Sequence, residues 1–445
     1  MIKRAAMLCL LGSAFVGTLG AQERDVPKGI PHLDHVFLIV MENHGYQQII
    51  GNKNEPYLNK LISEGKVNLA ERYFAVGHPS LTNYLEIVGG SNFDVRSDNN
   101  PDWGSNNCTA NLQSGLVNAD ATIPPPVGVL IETGKVCPIA GSGTDAETPA
   151  VDTWNEITPG VFNFLADIDG LAKVPAAPTL GITIADQLEH GGLSWKTYQE
   201  SLPLGPVFGV NFSNGTASDL SDFSLLAPLT SGKVVKAYAV KHNPFAYFEN
   251  LQDEMQRNNG GSKHIAGFDG ARGLYADLAS GNAPSFSLIV PNQCNDQHGR
   301  SPSGSGEDAD AFCAFDPGLD ANGGFTVGDQ QALNPGLIQQ GDVTIQRVVE
   351  AIKASKVWDE GHNAIVIVWD ENDYSGLLNN TNGVFPLQNQ NNVVLTVQLN
   401  RGVHGVKSST PYTSFSLLRS IEAGFGLPCL NHACDAKVMS DLFGR

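Results

Sequence analysis

Positive charge is scarce in this chain. Its 445 residues include 27 Lys and Arg against 46 Asp and Glu, a formal net charge of −19. Such a surface repels nucleic acid and anionic membranes, which argues against a polyanion-binding role. An anionic substrate would then need a local cation, and a bound metal ion is the natural supplier. The cysteines form no complete metal-finger pattern of two ligand pairs. No Cys-x-Pro-x-Arg segment precedes a helix, which excludes a sulfatase-type modified nucleophile. After the first twenty or so residues, no stretch is long and apolar enough to cross a bilayer. There is no internal repeat.

What is present begins with a leader. Lys3 and Arg4 precede an apolar run from Ala5 to Gly20, and Ala21 offers a small residue before Gln22. That is the layout of a secretory signal peptide, residues 1–21. Residues 22–445 are then expected as one soluble, exported catalytic domain, secreted or periplasmic, with loop-rich insertions around 91–180 and 299–335. Six cysteines remain beyond the leader, an even number that suits disulfides in an exported chain. Sequence neighbours suggest Cys108–Cys137, Cys294–Cys313 and Cys429–Cys434, although six cysteines allow many pairings.

Periodicity predicts alternating strands and helices. Residues 35–41, 193–198, 234–240, 286–290, 364–369 and 393–399 read as strands, several apolar on both faces. Helices are expected over 56–63, 80–88, 183–190 and 416–423, with Asp342 capping another that runs to about Trp358. Strands separated by helices imply a mainly parallel sheet between helical layers, a three-layer αβα sandwich. In such sheets reactive groups gather beyond the carboxyl ends of the strands.

Polar residues cluster at those ends. Glu42-Asn43 follows the first strand, Asp296-Gln297-His298 follows the strand ending at Val290, and Asp370-Glu371-Asn372-Asp373 follows a third. Adjacent carboxylates leaving a buried strand repel one another, and a cation relieves that repulsion. Each acidic group alone also reads as an ordinary polar turn. Together Glu42, Asn43, Asp370 and Glu371 form an oxygen-rich set that suits Mg²⁺, Ca²⁺ or Mn²⁺ better than Zn²⁺. Ser80, in Gly77-His78-Pro79-Ser80-Leu81-Thr82-Asn83-Tyr84, starts a helix where a hydroxyl can attack or simply cap. A phosphate placed there gains from the unpaired N–H groups, and Asn83 shares the helix face. His78, His298 and His404 are candidate proton donors or turn residues, and His242 is equally ambiguous.

These segments resemble the bacterial and fungal phosphoesterase family of secreted acid phosphatases and phospholipases C, within the alkaline phosphatase superfamily. The resemblance runs in order through Val40-Met41-Glu42-Asn43, His78 to Leu85, Ser194 to Glu200, His242-Asn243-Pro244-Phe245, Pro291-Asn292 with Asp296 and His298, Gly341-Asp342, Trp369-Asp370-Glu371 and Tyr412 to Pro428. Within the family the chain looks most similar to the single-domain acid phosphatases, phosphoinositide phosphatases among them.

The resemblance implies that Ser80 is the nucleophile and that Asn83 binds a phosphate oxygen. It also implies that Glu42, Asn43, Asp370 and Glu371, with Ser80, ligate an activating divalent ion, Zn included among the candidates. Asp296, His298 and His404 are left for a second metal or for protonating the leaving group. Thr82 stands where the family usually has proline, and Ser414 where many relatives carry histidine. The expected activity is hydrolysis of phosphate monoesters through a phosphoserine. A small phosphate ester or phospholipid headgroup is the partner, with no nucleic acid and no obligate protein partner. The alternatives are a phosphodiesterase or phospholipase C and, in another class, an exported non-catalytic metal- or glycan-binding protein.

Overall fold

The computed structural model describes residues 23–77, 79–95, 98–103, 136–145, 148–149, 173–174, 177–202, 210, 237–299, 313–314, 316, 330, 333–372 and 392–444. Its centre is the run His35–Met41, strand β1, buried at every position after the first. A strand so apolar on both faces needs a partner layer on each side. β2 (Asn68–Phe74) follows it, and two short antiparallel ribbons come next. These pair β3 (Ser142–Thr144) with β6 (Pro178–Leu180), and β4 (Thr148–Pro149) with β5 (Lys173–Val174), inside the segment expected as loop. β7 (Trp195–Gln199), β8 (Ile265–Ala266), β9 (Phe286–Val290), β10 (Asn363–Trp369), β11 (Asn392–Leu399), β12 (Lys407–Ser408) and β13 (Tyr412–Thr413) complete the strands among the described residues.

The main sheet has the order β12-β2-β11-β10-β1-β9-β7-β8, with β13 also pairing β2. Only β11 runs against the others. The mainly parallel α/β architecture expected from the sequence is therefore present. β1 and β10 pair from His35↔Asn363 through Met41↔Trp369, so both strands end at the same level.

The helices are α1 (Tyr46–Ile49), α2 (Pro56–Ser63), α3 (Ser80–Gly89), α4 (Ile184–His190), α5 (Glu249–Arg257), α6 (Leu274–Ser280), α7 (Pro335–Ala354), α8 (Lys356–Asp359), α9 (Ser414–Phe425) and α10 (Ser440–Phe443). α2, α6, α7 and α8 pack on one another, as do α3, α4 and α9. Every residue of α3 is buried. Gly90, with φ +69, ends it, and the backbone Leu430 O leaves no room for a Cβ there.

Two expectations are corrected. The strand predicted over 234–240 is absent from its described part: 237–239 is irregular and Val240–His242 is a 3₁₀ turn, broken by the approach to Pro244. Asp342 is not the cap of its own helix, because α7 starts at Pro335, capped by Asn334. Asp342 instead lies within α7, and its carboxylate accepts from Tyr57 N at 2.8 Å and Leu58 N at 3.0 Å. It therefore caps α2 from a distance, satisfying two of the N–H groups that every helix start leaves open. Cys294–Cys313 and Cys429–Cys434 are bonded as expected. Cys108, the expected partner of Cys137, lies outside the described residues.

Candidate active site

The register of β1 and β10 delivers Glu42 and Asp370 side by side, because each is the residue after the last matched pair. Asp370 N donates to Met41 O at 3.0 Å, and Glu42 N donates to Asp296 O at 2.8 Å. Three acidic residues from three strand ends are thereby fixed by backbone bonds. All three are buried, as is Glu371.

Ser80 is the first residue of α3 and is itself buried. Its Oγ donates toward Glu371 Oε1 at 2.9 Å and lies 3.3 Å from Glu42 Oε2. Lys241 Nζ donates to the same Oγ at 3.2 Å. The hydroxyl thus sits between two carboxylates and an ammonium, at a helix N-terminus whose partial positive charge favours an anion.

Glu42, Asp370 and Glu371 have carboxylate oxygens all within 4.8 Å of one another. Both Asp370 oxygens are buried with no hydrogen-bond partner. A buried, unpaired carboxylate is costly, and a divalent cation is the partner this oxygen-only set fits. Without one, burial and the charges of Glu42 and Glu371 hold the Asp370 carboxyl far above the ordinary range. Asn43, the next residue after Glu42, is half-buried at the same strand end.

Around the carboxylates lies a ring of basic groups. His242 Nε2 is 3.0 Å from Glu42 Oε1, and its Nδ1 is 3.4 Å from Asp296 Oδ2. The imidazole stacks on Tyr84 with centroids 5.1 Å apart. Burial pushes the His242 imidazolium down, yet Glu42 and Asp296 outweigh it and raise the group to about 9. Burial likewise pushes Glu42 up, but His242 and Lys241 prevail and keep its carboxyl well below the usual range. Burial lifts Asp296 to about 7 against the pull of His242. His298 falls to about 3 through burial and the neighbouring Lys241 charge.

The expected site residues divide clearly. Ser80, Glu42, Asp370, Glu371, Asp296 and His298 converge. Asn83 is present, but its amide is engaged: Nδ2 donates to Gly77 O at 2.7 Å and to Glu371 Oε2 at 3.0 Å. Its Oδ1 accepts from Val76 N and Gly77 N. Asn83 therefore braces the turn before Ser80 and aims Glu371. His404 is exposed in the loop after β11. Because β11 is antiparallel, that loop lies at the opposite edge of the sheet, where Asn400 N meets Asn363 O. His78 lies outside the described residues.

Two groups were not singled out from sequence. Lys241 was passed over beside His242, and Asp98 was lost in an Asn- and Gly-rich stretch. Lys241 Nζ is 2.8 Å from Asp98 Oδ2, and Asp98 Oδ1 accepts from Leu81 N at 3.0 Å. The available signal was a lysine next to a histidine before Asn-Pro, in a chain poor in lysine.

Support comes from Gln297, between Asp296 and His298, with φ +80. Its amide donates to Glu55 Oε2 at 2.6 Å and Ile338 O at 3.0 Å, and accepts from Trp369 Nε1 at 3.0 Å. A Cβ at position 341 would overlap the Gln297 side chain, which accounts for Gly341.

Known proteins resemble this chain. The model of the Phosphoesterase family matches residues 53–311. A phosphatidylinositol-3-phosphatase of Mycobacterium tuberculosis (strain ATCC 25618 / H37Rv) is 31% identical over 165 residues, 37% of this chain and 54% of its own length. A probable acid phosphatase of Kluyveromyces lactis is 24% identical over 295 residues, 64% of this chain and 53% of its own. The chain spans about half the length of these curated relatives. Among solved structures, a protein in the alkaline phosphatase superfamily from Vibrio parahaemolyticus aligns with TM-score 0.42 and 12% identity, covering 95% of this chain and 71% of that one.

Proposed function

The chain belongs to the phosphoesterase family, and from that premise we propose that it is a metal-dependent phosphatase using Ser80 to cleave phosphate monoesters. The observation that carries this reading is Ser80 Oγ, buried at the start of α3 and 2.9 Å from Glu371 Oε1 beside Glu42 and Asp370. Names borne by the relatives support a phosphatase: one acts on phosphatidylinositol 3-phosphate and another is a probable acid phosphatase.

Glu42, Asp370 and Glu371, with Asn43 beside them, would hold the divalent ion, which when bound acidifies a coordinated hydroxyl and neutralises phosphate charge. An all-oxygen set favours a hard cation such as Mg²⁺, Ca²⁺ or Mn²⁺. Ser80 attacks phosphorus, its Oγ–P bond forms as the ester P–O bond breaks, its proton passes to the Glu371 oxygen it already faces, and the departing alkoxide takes a proton from water. The N–H groups at the start of α3 stabilise charge on the phosphoryl oxygens. Water then cleaves the phosphoserine. His298 Nε2 lies 3.4 Å from Lys241 Nζ, so the imidazole faces the lysine beside Ser80. His242, the protonated imidazole, balances Glu42 and Asp296.

Export also belongs to this proposal. It is supported by the disulfides Cys294–Cys313 and Cys429–Cys434, a kind of bond that persists in oxidising compartments. Among the described residues no helix is long and apolar enough to cross a membrane.

The test is Ser80→Ala, assayed with parallel monoester and diester substrates and added divalent ions. Loss of monoesterase turnover with an unchanged melting temperature is expected. Near-normal activity would remove Ser80 from the chemistry. A marked preference of the unaltered enzyme for the diester would favour the phosphodiesterase alternative.

A further inference from the structure

We propose that Lys241 is a catalytic residue, the second cation of the phosphoryl-transfer site, holding the charge that develops on the Ser80 oxygen. The proposal rests on the reading above that Ser80 is the nucleophile.

An ammonium has three protons and no lone pair. Here the three directions are taken by Ser80 Oγ at 3.2 Å, Asp98 Oδ2 at 2.8 Å and His298 Nε2 at 3.4 Å. Each partner offers a lone pair. His298 Nδ1 lies 2.9 Å from the Gly299 carbonyl oxygen, which only accepts, so the ring hydrogen belongs on Nδ1 and Nε2 carries the lone pair that faces Lys241. The Lys241 side chain is only 16% exposed. So dry a lysine is costly unless paired, and Asp98 pairs it.

Asp98 has a further duty. Its second oxygen accepts Leu81 N, the amide next to Ser80. One carboxylate therefore locks the lysine and the start of α3 into the same frame. The ammonium then cannot drift from the hydroxyl without also giving up that bond. Preorganisation of this kind is what makes an electrostatic group effective in a reaction.

Negative charge builds on the attacking oxygen as its proton leaves, and positive charge held beside it stabilises that state. Among the described residues, one group of acids has metal-ligand spacing, Glu42, Asp370 and Glu371. Lys241 supplies a second positive centre on the attacking oxygen. It keeps its own protons throughout: the Ser80 proton goes to Glu371, the Oγ–P bond forms, the ester P–O bond breaks, and the departing alkoxide takes a proton from water. In the second step hydroxide attacks phosphorus, the Oγ–P bond breaks, and the Ser80 oxygen takes its proton back from Glu371, with Lys241 again beside that oxygen as its charge builds.

The experiment compares Lys241→Met, Lys241→Arg and Lys241→Ala with Ser80→Ala and the unaltered enzyme, on 4-nitrophenyl phosphate. Turnover, orthovanadate inhibition and melting temperature are read in each. Lys241→Met should lower kcat by about 100- to 1,000-fold, as loss of one charge-stabilising donor does, with a far smaller change in KM. Orthovanadate, which mimics the pentacoordinate phosphoryl group, should weaken by a similar factor. Lys241→Arg should recover part of kcat, and ethylammonium added to Lys241→Ala should restore turnover, which a merely structural role would not allow. Should Lys241→Met prove unstable, pairing it with Asp98→Asn removes the stranded charge and keeps the comparison. Turnover within about threefold of the unaltered enzyme in Lys241→Met, or unchanged orthovanadate inhibition with no amine rescue, overturns the proposal. If Ser80→Ala remains active, the nucleophile reading itself has failed. If Ser80→Ala is dead and Lys241→Met is normal, only the lysine's role has.

Discussion

At the scale of single residues, the site combines groups that would each be unstable alone. Both oxygens of the Asp370 carboxylate are buried and receive no donor, and Glu371 is aimed by Asn83. Asn83 illustrates what sequence alone leaves open. Its position three residues after Ser80 indicates the right helix face, and on that face its amide reaches the Glu371 carboxylate, a partner no local pattern names. Asn83→Ala should therefore act through Glu371, lowering kcat and weakening divalent-ion affinity measured by calorimetry. A large rise in KM with metal affinity unchanged would instead restore Asn83 to the phosphate. Lys241 and Asp98 were illegible for a related reason: they meet across 143 residues of sequence, and no local pattern encodes such a pair.

At the scale of elements, the helix start of α2 depends on α7. Asp342 accepts the Tyr57 and Leu58 amides, and Glu55 lies against it with its carboxyl raised far above the ordinary range by burial and by the Asp342 charge. A carboxyl that stays protonated in the folded chain but ionises near pH 4.3 when unfolded makes stability fall as pH rises above that value. Its contribution is fully present below that pH and is lost progressively above it. Glu55→Gln, which mimics the neutral form, should match the unaltered protein's melting temperature near pH 4 and exceed it increasingly toward pH 8. A variant less stable at every pH would show that Glu55 is needed as an acid.

The elements themselves were largely legible. β1, α2 and β9 occupy the predicted spans, and β7, β10, β11, α3, α4 and α9 differ by a residue or two at an end. Buried strands and amphipathic helices announce themselves by periodicity. β2 did not, because Glu71 and Arg72 interrupt its apolar run. The start of α7 was misplaced because Asp342 resembles a cap by residue type, whereas its true partner is another helix. The predicted strand over 234–240 shows the reverse failure: apolar composition without a neighbouring strand to pair.

At the scale of the whole molecule, convergence of strand ends does what no segment does alone. β1 and β10 end together, β9 leads into Asp296, and α3 brings Ser80 to the same point. His404 fails to join because β11 reverses direction, a topological fact invisible in a lone Gly-Val-His-Gly motif. A bound cation should also support the fold. Ligands that bind only the folded state stabilise it by about 2.7 kcal/mol at a hundredfold excess over Kd. Exhaustive chelation should therefore abolish turnover and lower the melting temperature, with both restored by a divalent ion. Full activity and an unchanged melting temperature after chelation would remove the metal from the account.

The central claim is that phosphorus passes through a covalent bond to Ser80. Acid-quenching the enzyme during turnover of a phosphomonoester, followed by peptide mapping, tests it directly. The account predicts phosphate on Ser80 in the unaltered enzyme and none in Ser80→Ala. Steady turnover with no phosphate on Ser80 at any quench time, or with the label on another residue, would contradict it.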